Sequence, residues 1–471
     1  MAWQELKLFG QPYESVEEIE LDSTAATVVD GYVNELDHIP MRPGLTSWKD
    51  TGTSLSVDGL YWWDEQHCVL AVSNKRVWKI TDSAGTMTEL TGSTDLGASA
   101  PVTFATDGTK CVMANGGKMV YTDLATLTTM ADVDAPTVVT HVAYLDGYLL
   151  ANQVGTSTFQ FSSPTDITAW NALDFAAADG EPDKVVAMKV GFREVILVGR
   201  TAVEFWLDDG VTPFARLDGS VQSYGCSAPY SLAKVGNTWM WLDHERRLVN
   251  LQGRAVTPVS SPYDRVIQQY AAVDDAIAYT VSIEGYPLYV LNFPTAGQTL
   301  IYNYLTQKWS KWGYWNTGTA TYGRFRGNAY CYARDWNLHL VGDWANGLIY
   351  KFERTAFTDN GNPIRTLVRT GHQNYGMDAT KRSNVLRVKL KRGAGNASVT
   401  TPQVTMRRRV DNAAQWENER WASLGSVGQH EQTFDWRRNG IYKTCQYEFV
   451  HSDNSDFILI AASEDVEALN R

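Results

Sequence analysis

The chain has 471 residues, of which 44% are hydrophobic and 20% are charged, and its formal net charge is −12 at pH 7. These proportions exclude a disordered chain and are typical of a globular protein. The absence of any run near the ~18 apolar residues of a membrane span predicts no membrane anchor. Aromatic residues make up 12% of the chain, which favours an all-β structure because such side chains suit pleated surfaces.

The N-terminal sequence and the cysteines indicate the kind of cellular compartment in which the protein is made. The first residues have no basic stretch followed by an apolar core, so we expect no secretory signal. The five cysteines are odd in number and widely scattered, which predicts neither a disulfide framework nor a cysteine metal site. This usage favours synthesis in a reducing compartment.

Residues 1–50 lack the repeat that follows them. They contain the strand-like run Thr27–Val33 and a Pro43-Gly44 turn. We interpret this segment as a lead-in whose strand pairs into the last repeat and closes a ring, which would also cover exposed strand edges.

Residues 51–362 contain seven copies of one short sequence pattern. In each copy a glycine-bearing turn leads into a strand-forming run, and a second such run follows about ten residues later. The turn glycines are Gly59, Gly108, Gly147, Gly191, Gly236, Gly285 and Gly327. Their spacing near 45 residues is typical of β-propeller blades and predicts about seven blades, within a range of six to eight. One short helix is predicted at 264–270.

Residues 363–471 form a separate C-terminal β-domain in this interpretation. Turn-forming residues 358–363 mark its start, and apolar-polar alternation predicts antiparallel strands such as Val385–Lys391 and Val404–Val410. Such strands are typical of a small β-sandwich. Residues 365–443 hold 15 Lys and Arg against 6 Asp and Glu, so this stretch is basic while the rest of the chain is strongly acidic. This asymmetry predicts two surfaces with different partners.

The sequence offers no recognisable catalytic chemistry. It lacks a phosphate-binding loop, a nucleophile elbow and a zinc-protease motif. His67, His141, His244 and His339 fall in four different repeats, and we interpret them as structural. We therefore predict no catalytic residue, no cofactor and no metal site, and a protein that is not an enzyme.

Basic residues of the C-terminal domain are the first candidate for partner docking. Arg387 and Lys389 lie at alternate positions and so share one face of their strand. Arg407, Arg408 and Arg409 are consecutive and must present basic side chains to both faces. Two interpretations remain open: a charged edge strand that resists aggregation, or a docking site for an acidic protein surface or DNA phosphate.

An aromatic run is the second candidate interface. Trp309, Trp312 and Trp315 fall within seven residues near the end of the sixth repeat. Packing between blades is one interpretation. An exposed contact for a partner, or a platform for a host glycan, is the other.

The middle of the chain resembles a known family. The resemblance is carried by Arg42-Pro43-Gly44-Leu45, and then by the runs 155–162, 170–178, 182–187, 193–199, 203–206 and 225–229. These runs are similar to the tail hub, or packaged-DNA stabilisation protein, of P22-like short-tailed bacteriophages. The similarity extends over nearly the whole chain.

The resemblance implies a structural virion protein of a short phage tail, made in the host cytoplasm. It implies a hub or nozzle subunit, in a homo-oligomer expected to be a hexamer, that docks below the portal and its adaptor. Such a subunit extends the DNA channel and helps to retain packaged DNA, which passes through the lumen without sequence-specific binding. Its further partners would be a tail fibre or tailspike and a tail needle or tip.

Two alternatives come from other functional classes. The first is a propeller that binds, or degrades, host surface polysaccharide, with the three tryptophans as its platform. The second is a cellular propeller that serves as a protein-interaction module.

Overall fold

The computed structural model describes residues 2–8, 27–93, 95–97, 100–178, 180, 183–210, 213–259, 263–411, 413–429 and 434–469. Within these ranges the structure is almost entirely strand, as predicted for an all-β protein. The α-helix of the described residues is Asp264–Gln268, at the predicted position, and single 3-10 turns occur at Asp64–Gln66, Pro229–Ser231 and Arg334–Trp336.

Seven four-stranded antiparallel blades form the larger body, and we number them in chain order. The strands of blades 1 to 3 are Val57–Trp63, Cys68–Ser73, Arg76–Ile80 and Met87–Leu90; Thr103–Thr106, Cys111–Ala114, Val120–Thr122 and Leu127–Thr129; and Val142–Leu145, Tyr148–Asn152, Thr158–Phe161 and Phe175–Ala177. Those of blades 4 and 5 are Val185–Gly191, Glu194–Gly199, Val203–Leu207 and Ala215–Arg216; and Ala233–Val235, Thr238–Leu242, Leu248–Gln252 and Ala255–Pro258. Those of blades 6 and 7 are Ile277–Ile283, Tyr286–Phe293, Gln298–Asn303 and Lys308–Asn316; and Gly327–Ala333, Leu338–Asp343, Leu348–Glu353 and Gly44–Asp50.

The blades close into a ring. The first strands of blades 1, 2, 3 and 4 contact one another in turn, and the first strand of blade 7 contacts that of blade 1. The fourth strand of blade 7 comes from the N-terminal segment, because Gly44–Asp50 pairs antiparallel with Leu348–Glu353. The two ends of the propeller sequence are thereby joined by backbone hydrogen bonds, which leave no open edge at the seam.

Three of the seven repeat glycines lie in strands rather than in turns. Gly191 is the last residue of the first strand of blade 4. Gly59 and Gly327 lie in the first strands of blades 1 and 7, each beside a β-bulge. A Cβ at Gly59 would come within 2.8 Å of the Phe104 ring, and one at Gly327 within 2.5 Å of the Tyr279 hydroxyl. Gly59 and Gly327 are therefore required by the close approach of a neighbouring blade.

Apolar side chains fill the spaces between blades. The cluster between blades 1 and 2, for example, contains Trp63, Leu70 and Met113, all with no exposed surface. All five cysteines are buried and free. Each blade therefore contributes one face to each of two neighbouring cores, as expected for stacked sheets.

The C-terminal part of the chain, from Thr366 onwards, forms a two-sheet sandwich together with strands from the N-terminal segment. One sheet contains Ala2–Glu5, Ile458–Ala468, Lys381–Leu390 and Phe434–Tyr442, and Ile39–Pro40 pairs with its second strand. The other contains Thr27–Val29, Thr366–Arg369, Cys445–His451, Gln403–Val410 and Arg420–Ser423. Their shared core includes Val28, Ile39, Leu386, Val404 and Phe449.

The propeller and the sandwich share one continuous sheet. Thr27–Val29 pairs antiparallel with Thr366–Arg369 of the sandwich and parallel with the fourth strand of blade 6, where Val29 lies opposite Lys311. Short strands Thr321–Arg324, Thr358–Asp359 and Asn362–Pro363 extend the outer edges of blades 6 and 7. The sandwich is consequently attached to the side of the ring through backbone hydrogen bonds.

No helix in the described part of the chain combines the length and apolar character needed to cross a membrane.

Candidate functional site

Arg387 and Lys389, two of the predicted docking residues, lie on the strand Lys381–Leu390. The Arg387 guanidinium donates to both carboxylate oxygens of Asp435, at 2.8 and 2.9 Å, and its Cζ lies 4.8 Å from the centre of the Trp3 ring. Lys389 is exposed and forms no ion pair with a described residue. Of the two, Lys389 offers an uncompensated charge to a partner.

Arg407 belongs to a cross-strand row of charges. Arg369, Glu448 and Arg407 lie directly opposite one another on three adjacent strands of the second sandwich sheet. Glu448 is completely buried, and it accepts hydrogen bonds from Arg369 at 2.8 and 2.9 Å and from Arg407 at 2.7 Å. Opposite charges at such positions stabilise strand pairing, so Arg407 has a structural partner within its own domain.

Arg408 and Arg409 are buried, with 8% and 7% of their surfaces exposed. Arg408 donates to both carboxylate oxygens of Glu417, and Arg409 donates to the Gln446 side chain at 2.7 Å. The three consecutive arginines do point to both faces of the sheet, as the sequence predicted. Their burial corrects the expectation of an accessible triplet, because Arg408 and Arg409 present little surface to a partner.

Four arginines converge with aromatic rings on the outer face of the second sandwich sheet. Arg369, Arg407 and Arg409 each place Cζ between 5.0 and 5.4 Å from the centre of the Trp416 ring. Arg365 lies 4.6 Å from the Trp315 ring and donates to the Tyr322 hydroxyl. We call Arg365, Arg369, Arg407, Arg409 and Trp416 the arginine face.

The arginine face is rich in positive charge. Among the described residues, Glu448 is the carboxylate that forms ion pairs with it, through Arg369 and Arg407. Arg365 and Arg369 were not predicted as site residues, although their even spacing at the strand Thr366–Arg369 was a usable signal. Trp416 lies in a loop, and no pattern in the sequence indicated that it would cover the arginines.

The three candidate tryptophans are packed against residues of their own chain. Trp312 is 2% exposed, contacts the Phe325 and Phe352 rings, and donates its indole N–H to the carbonyl oxygen of Gly31 at 3.2 Å. Trp309 packs on Tyr263 and Tyr302. Trp315 packs edge-on against Tyr322, with ring centres 4.8 Å apart.

The tryptophan contacts match the packing interpretation rather than an open aromatic platform. Trp312 in particular cannot stack on a sugar ring while it fills the core beside blade 7.

Ion pairs connect neighbouring blades on one face of the propeller. The first and third strands of each antiparallel blade run in the same direction, so the loops that follow them lie on one face. Charged side chains of these loops bridge neighbouring blades. These pairs are Asp64–Arg334 at 2.9 Å, Lys110–Asp166 at 3.4 Å, Asp146–Arg193 at 3.1 Å, Glu194–Arg254 at 2.5 Å and Glu284–Arg354 at 3.2 Å. Each is partly exposed and contributes little to stability alone.

A buried charge cluster lies where the N-terminal segment crosses from the sandwich to the ring. Arg42 is completely buried between Asp30 and Asp359, with N–O distances of 2.7 Å to Asp30 and 2.6 Å to Asp359. Burial raises the pKa of Asp30 to about 6, although Arg42 acts in the opposite direction. Buried charges require such partners, so this cluster fixes the crossing point.

The four propeller histidines do not meet. His141 is 1% exposed and lies beside the central axis, whereas His67 is exposed on the hairpin face and contacts Asp335. Burial lowers the pKa of His141 to about 3, assisted by the charge of Lys189. Within the described ranges, no three His, Cys, Asp or Glu side chains are grouped so as to hold a metal ion.

Comparisons with known proteins identify the family. A search of curated proteins finds no match. Among solved structures, the WD40 propeller domain of Doa1 is similar over 66% of this chain and 97% of that chain, at 13% identity and a TM-score of 0.41. The WD40 domain of Neurospora crassa Pan2 is similar over 67% of this chain and 96% of that chain, at 9% identity and a TM-score of 0.42.

With both TM-scores below 0.5, the fold assignment depends on the blades themselves and on the family match. The model of the family described as bacteriophage P22 Gp10, beta-propeller, matches residues 27–357, from the strand that joins sandwich and ring to the end of blade 7. The chain therefore belongs to the bacteriophage P22 Gp10 β-propeller family, a family of structural phage proteins.

Proposed function

We propose that this protein is a hub or nozzle subunit of a short phage tail. In this role it docks below the portal–adaptor complex, extends the DNA channel, helps to retain packaged DNA and carries tail fibres or tailspikes. The family match over 27–357 is the observation that carries the proposal. A propeller with a second domain attached to its side offers several surfaces, as expected of a structural protein that contacts several neighbours.

The proposed assembly is a homo-oligomer, a hexamer, in the tail of the virion, with synthesis in the host cytoplasm. Its partners would be the portal or adaptor, a fibre or tailspike, and a tail needle or tip. The acidic remainder of the chain supports passage of DNA without sequence-specific binding, because like charges repel the phosphates. We propose no catalytic role.

The proposed docking surface is the outer face of the first sandwich sheet, around Lys389. Lys389 is exposed without an ion pair among the described residues, and Arg387 lies two positions before it. Arg407 is partly exposed on the outer face of the opposite sheet, so it forms a second, separate positive region. A neighbouring acidic surface would be attracted to these charges, and such complementarity chiefly sets association rate and specificity.

The test is imaging of the purified protein with its portal–adaptor complex by electron microscopy. We expect sixfold rings that form on the adaptor. Lys389→Glu should abolish ring formation, whereas Lys118→Glu, at an exposed lysine of blade 2, should leave it intact. Rings that form equally well with both variants would reject the docking residues, and absence of any complex with wild-type protein would reject the tail role.

A further inference from the structure

The seven first strands enclose a cavity of about 150 Å³ on the propeller axis. Its wall includes residues of blades 1, 2, 4, 6 and 7, His141 directly before blade 3, and the 3-10 turn before blade 5. The polar and aromatic side chains that matter for its chemistry are Asp58, Thr103, His141, Lys189, Tyr230 and Asn328. The space is large enough for several water molecules or one small organic acid.

Most polar groups of this wall already have partners in the protein. Asn328 donates to the carbonyl oxygen of Val57 and accepts from Arg324, and Thr103 donates to the carbonyl oxygen of Thr140. Asp58 accepts from the Ser56 hydroxyl, and His141 contacts the Thr140 hydroxyl through Nδ1. These groups hold the wall in place and do not need a ligand.

Lys189 and two tyrosines differ from the polar groups named above. Within the described residues, the Lys189 ammonium has no hydrogen-bond or ion-pair partner, and neither does the Tyr230 hydroxyl. The Tyr230 ring stacks on His141 with centres 5.3 Å apart, which fixes the phenol beside the axis. The buried Tyr279 hydroxyl also lacks a hydrogen-bond partner among the described residues. The cavity wall therefore carries one cation and two phenol hydroxyls without protein acceptors.

The surrounding charges restrict what can bind. His141 stays neutral because burial lowers its pKa to about 3, and burial raises the pKa of Tyr230 to about 12. Tyr279 and Tyr330 stack on each other in the wall, and burial raises the pKa of both. Asp58, on the blade 1 side, disfavours a ligand with two negative charges.

We propose that the axial cavity binds one carboxylate group, held by the Lys189 ammonium and the Tyr230 hydroxyl. A monoanion matches a single lysine, and a carboxylate accepts from both donors at once. The aliphatic and aromatic remainder of the wall suits the short carbon chain of such a ligand. The carboxylate can belong to a free small acid or to the C-terminus of a polypeptide.

Calorimetric titration of the full chain with sodium propionate at constant ionic strength tests the site. We expect saturable binding at pH 7 that weakens at least tenfold in Lys189→Met, which keeps the length of the side chain. Lys234→Met, at an exposed lysine on the first strand of blade 5, should bind as wild type does. Equal binding by wild type and Lys189→Met, or no saturable binding by wild type, would overturn the proposal.

A pH series on the wild-type protein gives a second readout that does not depend on a variant folding. Burial lowers the pKa of Lys189 to about 8, so the site loses its charge above that pH. Propionate affinity should fall by about thirtyfold between pH 7 and pH 9.5, in proportion to the protonated fraction of the lysine. A propionate affinity that does not change between pH 7 and pH 9.5 would contradict the assignment of Lys189 as the cation that binds the carboxylate.

Two further ligands define the chemistry. Inorganic phosphate, largely a dianion at pH 7.5, should bind more weakly than propionate, and tighter phosphate binding would overturn the carboxylate assignment. A short peptide acid that binds tighter than its own C-terminal amide identifies a polypeptide source. Propionate binding with no difference between the two peptides identifies a small acid.

Discussion

Arg42 and Asp359 form two parallel hydrogen bonds, at 2.8 and 2.6 Å, between positions that are 317 residues apart in the chain. Asp359 follows blade 7, and its backbone pairs with Leu45 of the ring-closing strand. The third guanidinium nitrogen donates to Asp30. One fully buried side chain therefore joins the N-terminal segment, the closing blade and the route into the sandwich.

Replacing Arg42 with Met should destabilise the protein by about 3 to 5 kcal/mol, because two buried carboxylates lose their counter-charge. Urea unfolding at pH 7 measures the change. Arg193→Met is the matched control, since its ion pair with Asp146 leaves 82% of the arginine side chain exposed. The control should lose less than about 1 kcal/mol. Equal losses of unfolding free energy in the two variants would show that the buried ion pairs of Arg42 stabilise the protein no more than an exposed ion pair does.

His141 should make the protein less stable in acid. Its pKa in the folded state is lowered to about 3 from an ordinary value of 6.5, so the unfolded chain binds the extra proton first. The stabilisation is complete above pH 6.5 and is lost as the pH falls towards 3.

The measurement for His141 is the free energy of unfolding at pH 7 and pH 4.5. The loss on acidification should be smaller in His141→Gln than in wild type. His67→Gln, at a side chain that is 69% exposed, should change with pH as wild type does. A His141→Gln protein with the full wild-type acid sensitivity would contradict the assignment.

Glu464 is buried in the sandwich core and accepts hydrogen bonds from three tyrosine hydroxyls. The distances are 2.6 Å from Tyr375, 2.7 Å from Tyr442 and 2.5 Å from Tyr447. Tyr442→Phe removes one donor to a charged acceptor, and we expect a loss of about 1.5 to 3 kcal/mol in thermal or urea unfolding.

The matched control for Tyr442→Phe is Tyr332→Phe. The Tyr332 hydroxyl donates to Asn337 at 2.8 Å on the protein surface, where water replaces the bond. A loss for Tyr442→Phe no larger than for this control would mean that Glu464 does not depend on its tyrosines.

Gly59→Ala should cost about 1 to 3 kcal/mol through overpacking. The new methyl group would lie 2.8 Å from the Phe104 ring of blade 2, whose own ring is stacked on Tyr61 at 5.1 Å. Gly371→Ala, where no atom lies within 4 Å of the added carbon, provides the control. Equal melting temperatures for the two variants would show that blades 1 and 2 can separate to accept the methyl group.

Local patterns along the chain were sufficient to predict strands, blades and family. Alternation in runs such as Arg76–Ile80 reports strand faces because side chains of a strand alternate with a period of two. The spacing of the repeat predicted about seven blades, and seven are observed. Gly59 and Gly327 were misplaced as turn residues, since a glycine required by a neighbouring blade looks the same in sequence as one required by a turn.

The candidate sites depended on contacts that no local pattern contains. A run of three arginines indicates charge, but the burial of Arg408 and Arg409 follows from Glu417 and Gln446, which lie 9 and 37 residues further along the chain. In sequence Lys189 looks like any other lysine within a strand. It became a candidate ligand-binding residue only because the ring of blades places it in the wall of the axial cavity. Sequence alone thus determined the periodic backbone, because strand periodicity is local. Tertiary structure decided which charges are neutralised and which face an empty space, because those partners come from distant segments.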